Sequence, residues 1–106
     1  MINNKQKIYS YIGLAMRAGQ VVSGDDTTLK ELKKGKISLV IVADDASENT
    51  KKLFKDKSSY RKINQIYFST KVELGLAIGK SPRAVIGIKD KALSQKIIEH
   101  KKKKNS

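Results

Sequence analysis

The chain has 106 residues, a hydrophobic content of 39% and a formal net charge of +13, set by 23 Lys and Arg against 10 acidic residues. That length suits one domain rather than two, and the charge excess asks for an anionic partner. There is no Cys for disulfides or thiolate metal sites, no apolar run near the ~20 residues of a bilayer-spanning helix, and no signal-peptide core behind Met1-Ile2-Asn3-Asn4-Lys5, so a soluble cytoplasmic protein is expected.

In chain order, residues 4–18 read as a helix. Ile8, Ile12 and Ala15 recur at helical spacing, Asn3 or Asn4 can cap the start, and Gly19 can end it. A short extended segment, Val21-Val22, follows. Ser23-Gly24-Asp25-Asp26 then opens a second helix, because acidic residues suit the free N–H groups and positive dipole end of a helix start. Leu29 and Leu32 give it a narrow apolar stripe, Lys30, Lys33 and Lys34 cover the rest, and Gly35 stops it. Residues 37–43 are nearly all apolar and β-branched, the pattern of a strand buried on both faces. Asp44-Asp45 end that strand, and Ser47 caps a third helix containing Leu53 and Phe54.

Ile66-Tyr67-Phe68 reads as another short strand. Thr70-Lys71-Val72-Glu73 has capping-box spacing and starts a fourth helix running to about Ile78. Gly79-Lys80-Ser81-Pro82 is a loop, Ala84 to Ile88 a second buried strand, and Lys91 to about His100 a last helix. Residues 1–100 then form one domain, and residues 101–106 a basic, disordered tail. Alternation of helix and strand implies an α/β fold with helices on both faces of a mixed, roughly four-stranded sheet.

Three constellations could carry chemistry. Gly75-Leu76-Ala77-Ile78-Gly79-Lys80-Ser81 looks like a phosphate loop, but it has three residues between its glycines instead of four. It also closes a helix instead of opening one, so Gly79 reads as a helix C-terminal cap. The pairs Asp25-Asp26 and Asp44-Asp45 could ligate a metal or move protons. Helix capping explains the first pair and a strand-to-helix turn the second, and the single histidine, His100, sits beside a lysine run. No nucleophile–base pair and no metal cluster can be named, so neither an enzyme nor a cofactor is expected.

The basic residues are the third constellation. Lys30, Lys33, Lys34 and Lys36 gather around one short helix whose start is Ser-Gly-Asp-Asp-Thr-Thr. A helix N-terminus with a close-approaching glycine and flanking lysines suits a nucleic-acid backbone. The six aromatic residues are not strung between basic ones, which argues against a platform for stacked single-stranded bases and for a folded, helical partner.

Four stretches together resemble a known family: Gly13-Leu14-Ala15-Met16-Arg17-Ala18-Gly19, Ser23-Gly24-Asp25-Asp26 through Lys30, Leu39 to Ala43 with Asp45, and Glu73-Leu74-Gly75 with Gly79. The chain is similar over roughly residues 7–89 to the kink-turn-binding ribosomal proteins of the L-seven-Ae family, and closest to its short bacterial branch. The resemblance implies a three-layer α/β/α sandwich that binds a sharply bent RNA. In that family the second helix starts with Gly-x-Asn-Glu-x-x-Lys and enters the RNA groove at sheared G·A pairs. Gly24 and Lys30 match the glycine and the lysine, whereas Asp26 stands in place of Asn and Thr27 in place of Glu. Asp lacks the donor that Asn offers. The family's second contact is the loop before the last strand, usually apolar, which covers a flipped-out nucleotide. Here it is Lys80-Ser81-Pro82-Arg83, shorter and more polar, with Pro82 able to pack on a base and Arg83 able to stack or bind phosphate.

The expected site is therefore Gly24, Asp25, Asp26, Thr27, Lys30, Lys34, Ser81, Pro82 and Arg83. The expected partner is kink-turn or ribosomal RNA, bound by a monomer without membrane involvement. The competing expectation is a ribosome-associated protein-interaction module of the same fold with only generic affinity for RNA.

Overall fold

A computed structural model describes residues 3–103. Its elements are α1 (Asn4–Arg17), β1 (Val21–Ser23), α2 (Asp25–Lys33), β2 (Leu39–Val42), α3 (Glu48–Tyr60), β3 (Asn64–Tyr67), α4 (Lys71–Ala77), β4 (Val85–Ile88) and α5 (Lys91–Lys102). The strands form one mixed sheet in the order β1-β4-β2-β3. β4 runs antiparallel to both β1 and β2, and β2 runs parallel to β3. α2 and α3 pack together over one face, and α1, α4 and α5 over the other.

Local chemistry explains most boundaries. Asn3 caps α1 with a full capping box, its side chain accepting from the Gln6 amide while the Gln6 side chain accepts from the Asn3 amide. Ser47, Thr70 and Asp90 each cap a helix by accepting from the amide three residues on. β2 and β4 are buried along their whole length, as near-continuous apolar strands between two helical layers should be. Ile8, Ile12, Leu32, Phe54, Leu74 and Ile97 bring the helices onto them, each fully buried and worth roughly 1.5–3 kcal/mol. Gly87 lets α2 come close to the sheet. A Cβ there would lie 2.8 Å from Ile37 Cδ1 and 3.2 Å from Thr28 Cγ2.

The structure moves three expected boundaries. The third strand starts at Asn64, two residues before the apolar Ile66-Tyr67-Phe68 run, because parallel pairing with Leu39 to Val42 recruits the polar Asn64 and Gln65. The second strand is shorter than residues 37–43, although Ser38 still donates to the Ile88 carbonyl and Ala43 to the Ala84 carbonyl. The expected break of the last helix near His100 is also corrected. α5 continues through Lys101 and Lys102, because His100 and Ile97 are buried and hold the final turn against α1. The remainder of the expected tail, residues 104–106, lies outside the described residues.

Candidate nucleic-acid interface

The strand directions place several loops at one end of the sheet. Ser23 ends β1, Val85 begins β4, Val42 ends β2 and Tyr67 ends β3, all paired within that end of the register. The start of α2 and the 79–84 loop therefore lie side by side, although about 60 residues separate them in sequence.

α2 starts at Gly24, whose backbone has φ +88° and ψ 155°. A residue with a Cβ is strained at that φ, so glycine fits the turn between β1 and α2. Gly24 donates its amide to the Val85 carbonyl at 3.0 Å, which fixes the helix start to the neighbouring strand. No side chain caps the helix at Gly24. The first-turn amides thus keep their capacity to donate outward, reinforced by the helix dipole. This revises the capping role expected of Asp25-Asp26. Both stand inside the first turn, and the Asp25 carboxylate accepts from the Thr50 hydroxyl at 3.3 Å, joining α2 to α3.

Thr28 and Leu32 face the core and are fully buried. Helical periodicity then turns Asp26, Thr27, Lys30 and Lys34 to solvent on a common face, and all four are exposed. Lys30 and Lys34 take part in no ion pair among the described residues. α2 is fastened at its other side by Glu31, whose carboxylate accepts from Lys89 Nζ at 3.2 Å. That hydrogen bond, helped by the nearby charges of Lys89, Lys36 and Lys34 and opposed by partial burial, holds the Glu31 carboxyl below its ordinary range.

The 79–83 loop is held from two sides. Against α4, the Lys80 amide donates to the Gly75 carbonyl at 2.8 Å. Gly75 is also the point of closest approach, since a Cβ on it would sit 2.3 Å from the Ser81 carbonyl oxygen. Toward β1, Arg83 Nε donates to the Ser23 hydroxyl at 3.1 Å. Arg83 Nη1 donates to the Ser81 hydroxyl at 2.7 Å and to the Ser81 and Pro82 carbonyls at 3.1 and 3.2 Å. The half-buried Arg83 guanidinium thus makes its Nε and Nη1 bonds within the protein. Its planar fork braces the loop and ties it to the strand that leads into Gly24. Ser81 and Pro82 remain exposed beside it.

α4 itself is anchored from β2. The Asp45 carboxylate accepts from the Lys71 amide at 2.8 Å, and the Lys71 carbonyl accepts from the Arg83 amide at 3.0 Å. Asp45 therefore does more than end a strand, and with Gly75 and Ser23 it supports the interface. Sequence reasoning assigned none of the three that role. For Gly75 a signal existed: a glycine inside a helix costs about 1 kcal/mol relative to alanine and asks for a packing reason. For Asp45 no local signal exists, because its partner is 26 residues away.

Among the described residues, no group of three or more His, Asp or Glu could hold a metal ion. No helix among them is long and apolar enough to cross a membrane.

Residues 6–98 match the ribosomal protein L7Ae/L30e/S12e/Gadd45 family. The chain is 45% identical over 96 residues to the RNA-binding protein YlxQ of Enterococcus faecium, covering 91% of this chain and 92% of that protein. It is 34% identical over 83 residues to the large ribosomal subunit protein eL30 of Neurospora crassa, covering 74% and 72% of the two chains. In structure it is similar to a Bacillus halodurans protein of unknown function, with TM-score 0.86, 38% identity, and 89% and 95% of the chains covered. The fold is also that of the Giardia lamblia 15.5kD RNA binding protein, with TM-score 0.77 at 22% identity over 92% and 83% of the chains. With a family match spanning most of its length and this sheet order, the chain belongs to the ribosomal protein L7Ae/L30e/S12e/Gadd45 family.

Proposed function

We propose that this protein binds RNA without catalysing a reaction, and that it recognises a kink-turn or similarly bent helix, ribosomal RNA included. It does so as a cytoplasmic monomer. The observation that carries this reading is the pairing of an uncapped α2 start with a braced loop at one end of the sheet. The names of the relatives support RNA as the ligand.

In this reading each residue has a distinct role. Gly24 lets the RNA approach the backbone, and the first-turn amides face it. Asp26 and Thr27 meet base edges, while Lys30 and Lys34 lie along the phosphates. Ser81 and Pro82 cover an unpaired nucleotide, and Arg83 holds them in place. Asp26 can only accept a hydrogen bond when ionised, so it reads donors such as the amino groups of A or G, and its charge opposes the phosphates nearby.

The test is fluorescence anisotropy with a kink-turn hairpin and a straight duplex of equal length. The bent RNA should bind at least about tenfold more tightly, a difference of about 1.4 kcal/mol. Asp26→Asn, which adds a donor and removes a charge, should tighten binding to the bent RNA by several fold. Equal affinity for both RNAs would reduce the reading to generic attraction, which is the behaviour of a module that meets ribosomes through protein contacts.

A further inference from the structure

The antiparallel packing of α1 and α5 builds a second basic feature that none of the interface residues above accounts for. α1 begins at the same end of the sheet where α5 finishes, and the Tyr11 and His100 rings meet between them at 5.4 Å. Below that contact a cleft of about 430 Å³ opens between the start of α1, the end of α5 and the loops that follow β2 and β3. Lys5, Lys101 and Lys103 line it together with Ser69 and Thr70, and Asp44 is the one acidic residue beside them.

The volume lies within the ~300–1,000 Å³ of small-molecule pockets, but the lining does not fit an apolar ligand. Lys5 and Lys101 are exposed and take part in no ion pair among the described residues, and Lys103 has only a 4.0 Å pairing with exposed Glu99. Thr70 uses its hydroxyl oxygen to accept from the Glu73 amide, which leaves its O–H to donate. Ammonium groups and a hydroxyl donor around an open cleft are the recognition chemistry of phosphate.

Position decides which phosphate. The cleft sits at the same end of the sheet as Gly24 and the 79–83 loop, and a run of hydrogen bonds joins them: Gly24 to Val85, Arg83 to Lys71, Lys71 to Asp45 and Asp44 to Ser69. β1 and β3 lie three interstrand steps of ~4.8 Å apart, roughly 15 Å within the plane of the sheet, and the cleft opens on the α1–α5 side of that end. We infer that the cleft between the start of α1 and the end of α5 is a second RNA contact, in which Lys5, Lys101 and Lys103 engage backbone phosphates of the strand held at α2. This rests on the RNA-binding reading above and extends its footprint across the whole end of the sheet. Lysines there bind as point charges, so the contact adds affinity and salt dependence without sequence preference.

The test compares Lys5→Gln/Lys101→Gln/Lys103→Gln with a control of equal charge at the opposite end of the sheet and along α5, Lys62→Gln/Lys91→Gln/Lys96→Gln. The Kd for the kink-turn hairpin and for the straight duplex is measured against salt concentration. The cleft variant should bind the hairpin about tenfold more weakly, with a log Kd–log salt slope shallower by roughly 1 to 2. The control should keep the native slope. In the native protein, the Ser69 and Thr70 amide resonances should move when RNA is added. Equal losses in the two variants would overturn the inference, and so would an unchanged slope in the cleft variant. Amide shifts with adenosine monophosphate but none with RNA would also overturn it in favour of a small-anion pocket. A native protein that does not distinguish bent from straight RNA refutes kink-turn recognition alone, since the slope comparison between the two variants is read independently of that preference.

Discussion

Replacing Gly75 by alanine tests how the interface is held, because it strikes the loop without altering any side chain assigned to RNA. The new Cβ would stand 2.3 Å from the Ser81 carbonyl oxygen, 2.7 Å from the Ser81 carbonyl carbon and 2.9 Å from the Lys80 oxygen. A carbon and an oxygen rest at about 3.3–3.6 Å, so the loop must recede by about 1 Å. The obstacle is backbone, and no rotamer change relieves it. The 2.8 Å bond from the Lys80 amide to the Gly75 carbonyl breaks at that displacement. Overpacking of this kind costs ~1–3 kcal/mol, and alanine returns about 1 kcal/mol of helix propensity. The net loss of up to ~2 kcal/mol corresponds to a Tm lower by roughly 5–10 °C. Binding suffers more. Ser81, Pro82 and Arg83 must be ordered again when RNA arrives, at about 0.5–1.5 kcal/mol each, so Kd should rise by at least roughly tenfold. Gly79→Ala is the control for stability. Gly79 has φ +71° and nothing within 4 Å of a Cβ, so it pays only the left-handed strain of ~1–2 kcal/mol. Anisotropy with the kink-turn hairpin and thermal unfolding, run on both variants, read the two effects separately. If Gly75→Ala bound RNA no more weakly than Gly79→Ala, the loop would not depend on this packing or would not contact RNA, and the reasoning would fail.

Two further predictions follow from single interactions. Arg83→Lys keeps the charge but loses the fork that joins the Ser23 hydroxyl to the Ser81 and Pro82 carbonyls, so hairpin binding should fall by about tenfold despite the unchanged net charge; native-like affinity would show that Arg83 acts through its charge alone. Glu31 sets a pH dependence. Its carboxyl is held below its usual value of 4.5, so its contribution is present above that pH and is lost as pH falls through the depressed folded value. Denaturant titrations should accordingly show the native protein losing stability below about pH 4.5 more steeply than Glu31→Gln, and parallel profiles would refute the role of the Lys89 pairing.

Much of the architecture was legible in the sequence because it is written in local chemistry. The order of the nine elements follows from helical and strand periodicity, from caps such as Ser47 and Thr70, and from the all-apolar runs of β2 and β4. The two segments proposed for the interface, Gly24 to Lys34 and Lys80 to Arg83, stand out in the sequence as short runs of distinctive composition. The misplaced element boundaries have a tertiary cause. Asn64 and Gln65 lack strand character and enter β3 only because β2 lies beside them. Lys101 and Lys102 look like a free tail and are helical because His100 is buried against α1.

What the sequence by itself determined, then, is which segments are helices and strands and which of them carry donors and positive charge. The tertiary structure alone decided that the α2 start, the 79–83 loop and the lysines at the end of α5 share one end of the sheet. It also decided that Arg83 braces the loop, and that Gly75 and Asp45 position it. The physical reason is range. Periodicity and capping act over three or four residues, whereas the Arg83–Ser23 and Asp45–Lys71 hydrogen bonds span 60 and 26 residues and form only after the sheet has brought its strand ends together.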